Sequence, residues 1–282
     1  MNEDQAATDG TATSFSRIVC GLDGSPQSVE AARQAIALAA PSATIWAVAS
    51  WDPSVAHHAG IHAGTVAADL RRAAEEALKA ATAELPALEP HSIAGADVAS
   101  LLSATSDLDA DLIAVGSHGG SRTAGLLFGS VATAICRHAP CSVLVARETR
   151  EGGADEPTVV TAVDGSEYSL DAARVAALAA ERLGARVLII SAGEDREQRE
   201  AAAEAAGSLA AMASVRYETE TCDGAASKAI IEAAGDHEAQ LVVVGSRGLT
   251  GLQALGSTGE RVAHRAPCSV LVVRRPAHPA RD

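Results

Sequence analysis

The sequence predicts two tandem β/α domains of one kind, and three observations carry that expectation. At 282 residues the chain is about twice an ordinary domain of roughly 150. It also repeats itself. The run Ala139-Pro140-Cys141-Ser142-Val143-Leu144-Val145 recurs letter for letter as Ala266-Pro267-Cys268-Ser269-Val270-Leu271-Val272. Asp23-Gly24-Ser25 returns as Asp164-Gly165-Ser166, and Asp111–Ser117 is echoed by Gln240–Ser246. Within each copy, short apolar runs alternate with Ala-rich stretches of helical spacing, the pattern of parallel-sheet βα units.

Residues 1–15 are polar and acidic and read as a disordered tail. The first domain spans 16–147, with strands expected at Arg17–Leu22, Thr44–Ser50, Pro90–Ala94, Leu112–Gly116 and Ser142–Ala146. Ser25-Pro26 offers an N-cap followed by a proline at the first helical position. Val29, Ala32, Ile36 and Ala40 then follow a helical stripe. Leu70, Ala74, Ala77 and Ala81 mark a longer helix that ends near Pro86. Residues 148–156, containing Gly152-Gly153, form a polar linker. The second domain spans 157–275 and is shorter by 12 residues in its middle and by 2 in its glycine loop. Residues 276–282 form a second tail.

Composition narrows the function. The chain is 48% hydrophobic and 21% charged, which excludes a disordered or collagen-like polymer. A net charge of −14 repels a phosphate backbone, and neither basic clusters nor aromatic platforms compensate, so no nucleic-acid partner is expected. The longest charge-free run, Gln34–Trp51, is broken by Pro41 and does not read as a membrane span. The N-terminus lacks the basic start and apolar stretch of a signal peptide. Five cysteines without a CxxC pair suggest a reducing, cytoplasmic setting.

The chemistry gathers at the glycines. Gly116-Ser117-His118-Gly119 follows the fourth strand, and nine residues later Gly129-Ser130-Val131 opens a helix. Glycines let backbone N–H groups approach a ligand, and a helix start adds orphan N–H groups and a positive dipole end. That combination suits a polyphosphate without a lysine. Asp23 ends the first strand, so it would flank the same crevice and accept hydrogen bonds from a nucleoside. There is no Walker loop and no GxGxxG.

These residues resemble the universal stress proteins in their tandem-domain form, over Arg17–Arg147 and Pro157–Arg275. The family's motif Gly-x2-Gly-x9-Gly-Ser/Thr is met by Gly116, Gly119, Gly129 and Ser130. Val19–Pro26 and the two Ala-Pro-Cys-Ser-Val-Leu-Val runs carry the same likeness. The resemblance implies two Rossmann-like (adenine nucleotide α-hydrolase-like) domains, each a five-stranded parallel sheet of order 3-2-1-4-5 with helices on both faces. It implies ATP, with or without Mg2+, as the usual ligand, although one branch of the family binds no nucleotide. By resemblance Gly21 and Asp23 contact the adenosine, and Gly116, Gly119, Gly129 and Ser130 hold phosphates with Val131 beside them. Ser117, His118 and Arg122 share that loop, and Arg247 stands where His118 does, so the position tolerates a cation near phosphate.

The second copy departs from the pattern. Asp164, Gly245, Ser246, Arg247, Gly248, Gly256 and Ser257 are present, but seven residues separate Gly248 from Gly256, and Ala162 replaces Gly21. Weaker or absent binding is expected there. Other signals are bland: His57, His58 and His62 read as solvated, and Asp107–Asp111 as a polar turn. Cys141 and Cys268 read as small buried hydrophobes, while Cys136 and Cys222 sit on more polar stretches, open to oxidation.

The resulting expectation is a cytoplasmic ATP-binding stress-response regulator, not an enzyme. Nucleotide occupancy would bias its conformation, assembly or contacts with unidentified protein partners. A slow ATPase or nucleotidyl-transfer enzyme, and a nucleotide-free interaction module, are the alternatives. The last strands, Ser142–Val145 and Ser269–Val272, are expected to pair with each other within the chain, leaving other faces for homodimerisation.

Overall fold

The computed structural model describes residues 14–55, 62–119, 128–148, 156–193, 195–247 and 256–275. In the first half β1 (Phe15–Gly21), α1 (Pro26–Leu38), β2 (Ala39–Trp51), α2 (Ala63–Glu84), β3 (Leu88–Ala94), α3 (Asp97–Asp107), β4 (Leu112–Gly116), α4 (Ser130–His138) and β5 (Ser142–Ala146) follow in order. The second half repeats them as β6 (Thr158–Val163), α5 (Glu167–Leu183), β7 (Arg186–Gly193), α6 (Arg196–Met212), β8 (Tyr217–Asp223), α7 (Ala226–Asp236), β9 (Leu241–Gly245), α8 (Ser257–Arg265) and β10 (Ser269–Val273).

The ten strands among the described residues form one sheet, ordered β3-β2-β1-β4-β5-β10-β9-β6-β7-β8. Each half is therefore a parallel 3-2-1-4-5 sheet. The halves meet where β5 and β10 pair antiparallel, with Val143 opposite Val272, Leu144 opposite Leu271 and Val145 opposite Val270. Strand alternation sends side chains to two cores. Ile18, Leu112, Leu144 and Leu271 pack with α1, α2, α5 and α6 on one face. Val19, Ile113, Val143 and Val270 pack with α3, α4, α7 and α8 on the other. Small alanines along the helices let them lie close on the sheet, which is how a core almost without aromatics reaches full burial.

Local chemistry accounts for the element ends. Ser25 caps α1 by accepting from the Ser28 amide, with Pro26 in the first turn, and Ser166 caps α5 in the same way. Gly24 and Gly165 have φ of +78° and +82°, a region glycine enters without strain.

Several expected boundaries move. Phe15 is not tail but the first residue of β1, and it is buried. Helix α1 stops at Leu38, so Ala40 belongs to β2, where Pro41 could not have continued a helix. The Asp107–Asp111 turn ties β1 to β4: the Asp111 carboxylate accepts from the Ser16 and Arg17 amides at 2.8 and 3.1 Å. Residues 1–13, most of the 148–156 linker and the 276–282 tail lie outside the described residues, as do His57 and His58. No helix among the described residues is long and apolar enough to cross a membrane.

Reciprocal arginines lock the halves. Arg147, just past β5, donates to the carbonyls of Cys268 and Ala263 at 3.0 and 2.6 Å, and its amide donates to Ser269. Arg274, just past β10, donates to the carbonyls of Ala139 and Cys136, and its amide donates to Ser142. Each arginine thereby satisfies orphan carbonyls at or near the C-terminal end of the other half's last helix.

Burial also corrects the expectation for Cys136. It packs in the second core, and burial pushes the thiols of Cys20, Cys136 and Cys141 up to about 12. Cys222, half-buried on β8, is raised by burial and the nearby Glu220. A raised pKa shrinks the thiolate fraction at neutral pH, and the thiolate is the reactive form. In the native chain a disulfide reagent should therefore label Cys222 first, faster as pH rises from 7 to 9. Cys136 should react only as the chain unfolds. Rapid native labelling of Cys136, read by peptide mass spectrometry, would count against this burial.

Candidate functional site

In an open parallel sheet, ligands bind beyond the strand C-termini where the strand order reverses, here between β1 and β4 in the first half and β6 and β9 in the second. In the first half the β1–α1 turn and the two described ends of the glycine loop come together there. The β1–α1 turn carries Asp23, whose carboxylate accepts from the Ser25 amide at 3.0 Å and from the Ser25 hydroxyl. The glycine loop begins after β4 and returns at Gly129, whose amide donates to the Ser117 carbonyl at 2.7 Å. The Ser117 amide in turn donates to the Ala146 carbonyl at 2.9 Å, fixing the loop to the end of β5.

The glycines differ in what they do. A Cβ on Gly119 would come within 3.0 Å of Asp23 Oδ2, so the loop backbone lies directly against the carboxylate. Gly116 instead makes room for α1, since its Cβ would sit 3.0 Å from the Gln27 backbone. Gly21 makes room for Leu101 and Val115. A Cβ on Gly129 would meet only ordinary contacts at 3.4 Å. Gly129 is the N-cap of α4, extended at φ −76° and ψ 158°, with no side-chain cap. The first-turn amides of α4, at Ser130 and Val131, therefore receive no cap from Gly129, and the positive end of the dipole stands over the crevice.

Ser117 is buried and serves as the loop's anchor, its hydroxyl 3.0 Å from His118 Nδ1. Arg122, expected beside phosphate, lies outside the described residues.

The second half keeps the same frame. The Ser246 amide donates to the Val273 carbonyl at 2.9 Å, and the Gly256 amide donates to the Ser246 carbonyl at 2.7 Å. Both anchors match the first half, so the two-residue shortening falls entirely between them; Gly248, in that stretch, lies outside the described residues. Gly245 makes room for the Tyr168 backbone, at 2.7 Å from its would-be Cβ. Asp164 accepts from the Ser166 amide at 3.0 Å. The charges differ, however. Arg247 and Arg275 both lie over the Tyr168 ring, at 5.7 and 5.6 Å. Glu260 occupies the first turn of α8, beyond Ser257, where its carboxylate pairs with Arg137 of the first half.

One feature of the site was not visible in the sequence. Phe128, immediately before Gly129, is buried against His264 of α8, ring centroids 4.1 Å apart, with Arg147 5.9 Å above it. Burial pushes the His264 imidazole below its ordinary pKa, which favours the neutral form beside the ring. The returning end of the first glycine loop, at Phe128, thus rests on the second half. A lone phenylalanine in a loop gives no sequence signal of its partner, because that partner is 136 positions away in the chain.

Comparison with known proteins agrees with this architecture. The model of the universal stress protein family matches residues 14–147 and 157–274. A universal stress protein of Thermus aquaticus is 34% identical over 134 residues, covering 42% of this chain and 98% of that protein. One of Mycobacterium tuberculosis is 27% identical over 288 residues, covering 91% of this chain and 96% of that one. Among solved structures, a universal stress protein of Archaeoglobus fulgidus superposes with a TM-score of 0.64 at 20% identity, covering 93% and 97% of the two chains. With both halves matched by the family and both built on its βα frame, this chain belongs to the universal stress protein family.

Proposed function

We propose that the first half binds an adenine nucleotide and that occupancy governs how the chain presents itself to protein partners in the cytoplasm, as part of a stress response. The observation that carries the reading is the contact between the Gly119 backbone and the Asp23 carboxylate, above a helix whose N-terminus has no side-chain cap. Phosphates would take the first-turn amides of α4 and approach the loop backbone at Gly119, and Mg2+ would arrive with them. The nucleoside would lie over the end of β1, its hydroxyls donating to Asp23. The motif Gly116, Gly119, Gly129, Ser130, by which the chain resembles ATP-binding members of its family, supports the same ligand.

We read the protein as a binder more than a catalyst, since the hydroxyls that meet Asp23 and His118, those of Ser25 and Ser117, are both buried, Ser25 as the cap of α1 and Ser117 as the anchor of the loop, and so are poorly placed to act as nucleophiles.

Calorimetry with ATP should show one tight site per chain, and a steady-state phosphate-release assay should show no turnover above background. Absence of any ATP heat, together with no nucleotide released from freshly purified protein, would overturn the reading. Sustained phosphate release would favour the ATPase alternative.

A further inference from the structure

The two crevices differ most at the end away from the glycine loop, and strand register identifies equivalent positions there. Gly21 pairs with Val48 and Ala162 with Ile190, so Trp51, three residues on, corresponds to Gly193. Trp51 pairs with Ala94 and Gly193 with Asp223, which makes those two equivalent. A Cβ on Gly24 would face Ala77, and one on Gly165 would face Ala202, so the residues three earlier, Ala74 and Arg199, correspond as well. The first half therefore has Trp51, Ala74 and Ala94 where the second has Gly193, Arg199 and Asp223. An apolar, aromatic rim has become a charged one.

The charged rim is built across the opening. From α6 the Arg199 guanidinium donates to the Gly193 carbonyl and pairs with Asp223 Oδ1 at 2.9 Å, spanning the ends of β7 and β8. Its side chain is only 11% exposed, its stem lies 4.0 Å from where a Gly193 Cβ would be, and its Nε is buried with no hydrogen-bond partner among the described residues. A guanidinium that accepts an unsatisfied buried donor is wedged in place by the residues around it. Beside it, Gln198 donates to the Asp164 carbonyl at 3.3 Å, narrowing the same end.

Geometry then decides what can enter. The glycine loop leaves β9, Asp164 ends β6, and β7 is next in the sheet, with strands about 4.8 Å apart. A nucleotide with phosphates at the loop and sugar at the aspartate must extend its base over the end of the next strand. In the first half that place is bordered by the half-buried Trp51 and by Ala74. In the second it is crossed by Arg199.

We propose that the Arg199–Asp223 pair closes the second crevice to nucleosides, and that Trp51, Ala74 and Ala94 leave the first crevice open to a purine. The shortened second loop is then a secondary difference; the specificity lies at the base end. The inference rests on the nucleotide reading of the first half, and the test separates the two.

Equilibrium dialysis with labelled ATP should give one nucleotide per wild-type chain and, at an ATP concentration that just saturates wild type, only a small fraction of that for Asp23→Ala. Adding Arg199→Ala and Asp223→Ala to Asp23→Ala removes the charged pair, installs the first half's residues at two of the three positions, and should restore binding, which Asp164→Ala should again weaken. The reciprocal variant, Ala74→Arg with Ala94→Asp, should abolish binding by the first half and covers the case in which the opened crevice fails to fold. Two nucleotides per wild-type chain would overturn the proposal. So would a folded opened variant that stays empty, or a folded reciprocal variant that binds like wild type. A wild-type chain that binds no ATP at all fails the nucleotide reading itself, before any variant is made, and takes this inference with it.

Discussion

Asp23→Ala is expected to weaken ATP binding by the first half by about ten- to a hundredfold while the chain stays folded. A hydrogen bond to a charged group contributes about 1.5–3 kcal/mol, and each 1.4 kcal/mol is tenfold in affinity. Asp23 also steadies the α1 cap through Ser25, so a modest fall in stability should accompany the loss. Gly119→Val should be at least as damaging, because the new Cβ would come within 3.0 Å of the Asp23 carboxylate and force the loop away. Gly129→Ala should be mild by comparison, since its Cβ would meet only contacts at 3.4 Å. Calorimetry on the three variants would expose an error in the site if Asp23→Ala and Gly119→Val bound ATP as wild type does.

Replacing Val143 and Val270 together with Asp should open the seam between the halves. Both valines are fully buried, on paired central strands of the ten-stranded sheet. A carboxylate left there without a partner costs several kcal/mol, and two of them approach the whole stability of an ordinary domain, about 5–15 kcal/mol. Urea unfolding should shift to a much lower midpoint, with a hydrophobic dye binding before the helical signal is lost. An unchanged midpoint with no dye binding would mean that the seam contributes little.

Much of this architecture is legible in the sequence because its signals are local. Leu112–Gly116 and Ser142–Ala146 read as strands from apolar runs bounded by turn residues, and their bounds agree with β4 and β5. Ser25-Pro26 announces α1, and the exact repeat of seven residues points to strands that can answer each other across the seam. What escapes depends on distance along the chain. Phe15 reads as tail because nothing nearby reveals the core it joins. Gly116 and Gly119 look alike in a motif, yet one yields to the Gln27 backbone and the other to the Asp23 carboxylate. The exchange of Trp51, Ala74 and Ala94 for Gly193, Arg199 and Asp223 cannot be read without register, because three separate elements contribute to it.

The antiparallel seam has a consequence for symmetry. Two identical chains meeting about a two-fold axis must write every contact twice, since each residue faces the same partner on both sides. Here Arg137 of α4 pairs with Glu260 of α8, but the positions related by the repeat are His264 and Thr133, which cannot form that ion pair. His264 stacks on Phe128 instead. A dimer of first halves would set Arg137 against Thr133, and a dimer of second halves would set Glu260 against His264. The seam has become a lock with two unlike keys, so neither half can reproduce it with a copy of itself. Covalent fusion has released the two crevices from having to be the same, and because the strands of the halves run in opposite directions, those crevices open at opposite ends of one sheet.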